Sequence, residues 1–251
     1  MKTGTKYLAL AALGVLVITV IRRTRTRIGA PGRNKTLKTR TIEAEAAFLQ
    51  RLTPVKQFNL YLDGFHFESG HLGRQIRACH YCTMLSEDLT QCVIFDGTGP
   101  EARLIGVEYI VSEQLFRALP EEEKRLWHGH LYEVKSGELA APGLPAWAEL
   151  ELMEKIKRSY GKIWHTWDTA QHKALPLGIP KLMMSFTEEG QLDPALLAER
   201  DRLLRISSAQ NRERRAKLAD EPMPDGADTW HQGDVVQVQL AQTGMSFRES
   251  D

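Results

Sequence analysis

The sequence predicts an α+β fold: a mixed or antiparallel sheet with packed helices, preceded by an N-terminal apolar helix. Three observations lead there. Strand-like and helix-like segments interleave irregularly, without the strand–helix alternation of a doubly wound sheet. Two apolar runs, residues 91–96 and 102–111, flank the turn Gly97-Thr98-Gly99-Pro100 and so predict an antiparallel hairpin. Ahead of all this, residues 7–21 carry no charge while both flanks are basic.

Taken in order, residues 1–27 form a membrane anchor or a signal-like helix. The apolar stretch comprises Tyr7, Leu8, Leu10, Leu13, Val15, Leu16, Val17, Ile18, Val20 and Ile21 with small residues between them. At ~1.5 Å per residue it spans roughly 22 Å, short for a hydrocarbon core of ~30 Å. Lys6 and Arg22 can snorkel to the two interfaces. A cleaved signal peptide is the competing expectation, but no small-x-small site follows the run. Arg22, Arg23, Arg25 and Arg27 outweigh Lys2 and Lys6, which predicts a single-pass anchor with the body in the cytoplasm; export after cleavage is the alternative. Residues 28–42 read as a basic tether, 43–221 as the α+β body and 222–251 as an extended tail.

Within the body, Glu43, Glu45 and apolar residues at helical spacing predict a helix over 41–52, ended by Pro54. Residues 59–67 are aromatic and strand-like. Leu72, Ile76, Cys79, His80 and Thr83 fall on one stripe, which predicts a second helix over 72–85. After the hairpin, Ser112 caps a short helix, and Pro120 followed by three glutamates opens another. Residues 127–139 read as a strand, 146–160 as a helix and 162–168 as a strand, and a Pro/Gly-rich segment over 175–180 leads into 181–186. Asp193-Pro194 starts a helix, residues 208–218 form a charged, solvated one, and 235–240 are strand-like.

Charge is unevenly shared. Residues 1–42 hold ten of the 33 Lys/Arg and none of the 32 Asp/Glu, so the remainder carries 23 basic against 32 acidic residues, a net −9. A basic leader suits anionic lipid, and an acidic body excludes nucleic acid as its partner. Three cysteines, Cys79, Cys82 and Cys92, are too few for a disulfide framework and predict a reducing compartment with structural thiols.

The sharpest chemical signal is Trp127-His128-Gly129-His130-Leu131-Tyr132-Glu133. On a strand, His128, His130 and Tyr132 share one face and Glu133 takes the other. Two such imidazoles can bind a divalent metal if His80, His165 or a carboxylate such as Glu87 completes the set; otherwise they are satisfied core histidines. Glu108, Tyr132 and Glu133 are further polar candidates. No catalytic set is identifiable: nucleophile elbow, Walker loop, His-Glu-x-x-His and dinucleotide fingerprint are all absent from the sequence.

Tyr61-Leu62-Asp63-Gly64-Phe65-His66-Phe67, His80-Tyr81-Cys82, the runs 87–96 and 104–113, Trp127-His128-x-His130-x-Tyr132-Glu133-Val134-Lys135-Ser136-Gly137 and Trp164-His165-Thr166-Trp167 together resemble the oil body-associated protein family. The resemblance runs from about residue 38 to 230 and implies association with lipid droplets, with no catalytic residues to carry over. The apolar leader departs from the plant members' pattern and favours a bilayer. The expectation is therefore a membrane-tethered protein that binds or organises a lipid surface rather than catalysing. The alternative is a metal-dependent enzyme or small-ligand binder using His128, His130 and His80.

Overall fold

A computed structural model describes residues 30–220, 222 and 224–244. The anchor residues Tyr7 to Ile21 lie outside them, and no helix among the described residues is long and apolar enough to cross a membrane. The chain divides into two units, one comprising the residues up to Gln57 with Gly99–Ala102 and the other the rest.

In the first unit, helix α1 (Leu37–Leu49) begins where Thr36 Oγ1 accepts the Thr39 N–H at 3.2 Å. It therefore starts inside the segment read as a tether. A single turn, α2 (Thr53–Lys56), follows. No residue of α1 is buried, and Leu37, Phe48 and Leu49 are each about three-quarters exposed.

The second unit is built on strands β1 (Leu60–Glu68), β2 (His71–Met84), β3 (Leu89–Phe95) and β4 (Leu104–Ser112). Short helices α3 (Glu113–Arg117) and α4 (Glu121–Lys124) come next, then the two-residue strand β5 (His128–Gly129) and helix α5 (Leu131–Ser136). Helix α6 (Ala146–Ile156), strands β6 (Ser159–His165) and β7 (Lys181–Met184), and helices α7 (Pro194–Leu204) and α8 (Ser208–Arg215) complete it. The strands pair antiparallel in the order β4-β3-β2-β1-β7-β6, and β6 pairs back onto β4 from Gly106↔His165 to Ser112↔Ser159. Six strands thus close into a barrel, with β1 and β7 joined at the seam by two residue pairs, Phe67↔Met184 and Glu68↔Met183.

The α+β class holds, and several elements confirm the sequence signals. The hairpin is β3–β4, Ser112 caps α3, and Asp193 caps α7 with Pro194 in its first turn. Four expectations are corrected. Residues 72–85 are not a helix but most of β2, whose residues pair with β1 on one side and β3 on the other. The apolar stripe fits both periods, and two ladders of backbone hydrogen bonds override helix propensity. Residues 127–139 are not one strand: β5 is two residues long and α5 follows, closed by Gly137 at φ +85°. Helix α8 is not solvated all round, because Arg215 is fully buried. Residues 235–240 form no strand, although Gln237 Oε1 accepts the Leu182 N–H at 2.9 Å.

A further correction concerns the cysteines. Cys82 and Cys92 stand directly opposite in the β2–β3 register and form a disulfide, leaving Cys79 as a buried free thiol. The expectation of a reducing compartment loses its basis. Closing a ten-residue loop contributes about 2–3 kcal/mol. Urea unfolding with and without reductant is expected to differ by that amount, and coincident curves would show that the bond contributes nothing.

Both faces of β1 are buried. One face packs Phe65 and Phe67 against Leu182, Met184, Phe186 and Leu192. The other, with Leu62, Gly64 and His66, faces the barrel interior, where the core falls into two apolar groups. Leu62, Cys82, Cys92, Ile110 and Ile156 belong to one, and Ala78, Ile94, Ile163 and Met183 to the other. Successive inward positions of β2 are Ala78, His80 and Cys82, so His80 stands between the two groups.

Candidate metal centre

Between those apolar groups lies a layer of buried imidazoles and carboxylates. β1 supplies His66, β2 His80, β4 Glu108, β5 His128 and β6 His165; His130 opens α5, and Glu133 sits in its first turn. Each of the seven is at most 5% exposed. His80 Nε2 lies 3.0 Å from Glu108 Oε2, while His130 Nε2 and His128 Nε2 lie 3.4 and 3.6 Å from Glu108 Oε1. His128 Nε2 is also 3.8 Å from Glu133 Oε2. His66 joins the set through Nε2, 3.2 Å from His80 Nε2, and through Nδ1, 3.1 Å from His165 Nε2.

These separations suit metal ligands. Donors on a tetrahedral ion with bonds of about 2.1 Å stand roughly 3.4 Å apart. Two triads, Glu108–His128–His130 and His66–His80–Glu108, each bring their donor atoms within 4.8 Å of one another. A cavity of about 10 Å³ lies among Leu62, His66, His80, Glu108, His128, His130 and Glu133. No hydrogen bond completes Glu108 Oε1 or His80 Nδ1, a costly condition for buried polar atoms. His130 Nδ1, by contrast, meets Ser159 Oγ at 2.9 Å, a contact that orients a ligating ring.

Gly161 makes room for the cluster. A Cβ there would stand 2.1 Å from Glu108 Oε1 and 2.3 Å from His128 Cε1. The strand opposite the carboxylate is thus bare backbone at the one point where a side chain would fill the site.

Ionisation follows from burial and proximity. Burial acts to raise Glu108, but the His130 and His80 imidazoles beside it outweigh that and hold the carboxyl well below its ordinary value. The same carboxylate raises His80 and His130 against the opposing effect of burial. Burial and His130 push His128 down to about 3, while burial and His80 do the same to His165. His66 is lowered by burial and by His80. Burial pushes Glu133 up to about 7. His66, His128 and His165 are thus held neutral beside an ionised carboxylate, the states a divalent ion requires of its ligands, whereas His80 and His130 would release a proton to bind one.

Of the residues predicted from sequence, His80, His128, His130, His165, Glu108 and Glu133 converge here. Two do not. Glu87 is exposed and pairs with Lys155 at 2.5 Å. Tyr132 points toward Glu138 and lines a separate pocket with Gly129 and Lys135. Sequence reasoning missed His66. Its signal was period-2 spacing from Leu62 and Gly64, hidden because Asp63, Phe65 and Phe67 on the other face are equally buried.

One further cavity adjoins the cluster. A groove of about 550 Å³ has Leu60, Leu62, Ile110, Val111 and Ile156 among its apolar lining and Arg117, Lys155 and Arg158 toward solvent. Leu62, Ile110 and Ile156 also line the small cavity, so the two share a wall.

A family model described as a protein of unknown function (DUF1264) matches residues 52–219, a range that contains every member of the cluster. Oil body-associated protein 1A of Zea mays is 44% identical over 189 residues, covering 75% of this chain and 79% of the relative. The chain belongs to the oil body-associated protein family. Within that family, protein 1B of Arabidopsis thaliana is 40% identical over 75% of this chain and 78% of its own length. Protein 2A of the same plant is 39% identical over 86% of this chain and 89% of its own. No solved structure matches. Oil body-associated relatives agree with the resemblance seen in the sequence and associate the family with lipid bodies.

Proposed function

We propose that this protein is a lipid-surface protein whose barrel holds a divalent transition-metal ion on Glu108 and its imidazole neighbours. The observation that carries the metal reading is convergence: side chains from β1, β2, β4 and β5 and from the start of α5 meet at one buried carboxylate. Imidazole nitrogens with carboxylate oxygens suit zinc, iron, manganese or copper better than calcium or magnesium, which take oxygen ligands almost exclusively. A metal ion there would polarise a bound water or oxygen donor; the chain's own part is to hold the imidazoles and the carboxylate in a dry, shaped site.

The test is the metal content of the purified full chain. A stoichiometric transition metal, lost in Glu108→Gln with the fold retained by circular dichroism, is expected. Metal-free protein that takes up no zinc, iron, manganese or copper, even when refolded in its presence, overturns the reading.

The lipid part rests on the relatives' names, the uncharged run of residues 7–21 with its arginine flank, and the exposed apolar residues of α1. The chain tethers to a membrane or droplet through the leader, and α1 adds interfacial contact. Deleting residues 7–21 is expected to move the protein out of the floating fraction in vesicle flotation. Unchanged flotation would transfer lipid binding to the body.

A further inference from the structure

We infer that the centre is dinuclear, with Glu108 bridging two divalent ions held by different imidazole pairs. This rests on the metal-binding reading above and extends it. The two oxygens of Glu108 face different partners: Oε2 meets His80, and Oε1 meets His128 and His130. His66 belongs with His80, since their Nε2 atoms are 3.2 Å apart. The two triads share only the carboxylate.

A single ion with bonds of about 2.1 Å brings together donors no more than roughly 4.2 Å apart. Oε1 with His128 and with His130, Oε2 with His80, and His80 with His66 all lie within that reach, and an ion on one side leaves the other imidazole pair facing an empty coordination position. A carboxylate that uses both oxygens sets two ions at about the 3.5–4 Å of known two-metal sites. The outer residues fit this division. Glu133 Oε2 stands 3.8 Å from His128 Nε2, on the first pair's side. His165 contacts the free nitrogen of His66 on the second, as an orienting partner for a ligating ring.

The experiment is refolding of metal-free full-length protein in the presence of manganese, read by elemental analysis and electron paramagnetic resonance. Two equivalents per chain with a spin-coupled spectrum are expected. His66→Gln is expected to retain one equivalent with an isolated-ion spectrum, and Glu108→Gln to retain none. One equivalent in the unmodified chain with an isolated-ion spectrum overturns the dinuclear centre and leaves the mononuclear reading standing. No uptake of any of the four metals overturns both. The spectrum of the unmodified chain decides the matter even if His66→Gln fails to fold.

Discussion

Alanine at Gly161 is expected to cost the protein its metal and about 3 kcal/mol or more of stability. The added methyl would meet Glu108 Oε1 and His128 Cε1 at distances no real Cβ tolerates. Overpacking a core ordinarily costs 1–3 kcal/mol. Here the displaced atoms belong to a carboxylate and an imidazole packed into a layer with only about 10 Å³ to spare, so relief requires moving strand β6 against β4 and β5. Urea unfolding and metal analysis of Gly161→Ala check both effects. Wild-type stability with full metal content would show that the cluster has slack that the packing denies.

Arg215→Ala is expected to cost about 3–5 kcal/mol, because it strands a buried partner. Arg215 is fully buried on α8, where Nη1 donates to the carbonyls of Val134 and Leu139 at 2.7 and 2.9 Å and Nη2 pairs with Glu149. Removal leaves two carbonyls and a buried carboxylate without that donor. At roughly 2–4 °C per kcal/mol for a chain this size, the melting temperature should fall by on the order of 10 °C. The loss reaches the candidate centre, since Val134 directly follows Glu133, and metal affinity should drop with it. Arg215→Met combined with Glu149→Leu removes both charges and should restore much of the stability. If the double variant is as unstable as the single, packing of the arginine stem rather than the ion pair is the source.

How far these features could be read in the chain depends on how local their causes are. The β3–β4 hairpin and the caps at Ser112 and Asp193 are written within a few residues, and the structure confirms them. Strand β2 was not legible because its apolar positions fit a helical stripe as well as an alternation; only pairing with β1 and β3 decides between them. Glu133 was assigned to the face opposite His128 and His130, as it would be on a strand. Helix α5 turns it back by placing it three residues beyond His130, beneath the imidazoles it was thought to avoid. Gly137 carried the clue, a glycine where a short helix needs a left-handed residue to end. The buried arginines gave no local sign. Arg200 donates to the Asp63 and Glu138 carbonyls, and Arg215 to carbonyls more than 70 positions earlier in the chain.

The wall between the groove and the cluster gives the proposed centre a history. Leu62, Ile110 and Ile156 line both that groove and the small cavity. Aliphatic side chains that change rotamer admit small uncharged molecules, whereas a hydrated divalent ion must shed its water to pass them. For a vessel sealed in this way the occupant is settled while the chain folds, by whichever ion is at hand. Afterwards it persists, even where a tighter-binding rival becomes plentiful. Metal identity would then record where the protein was made rather than where it works.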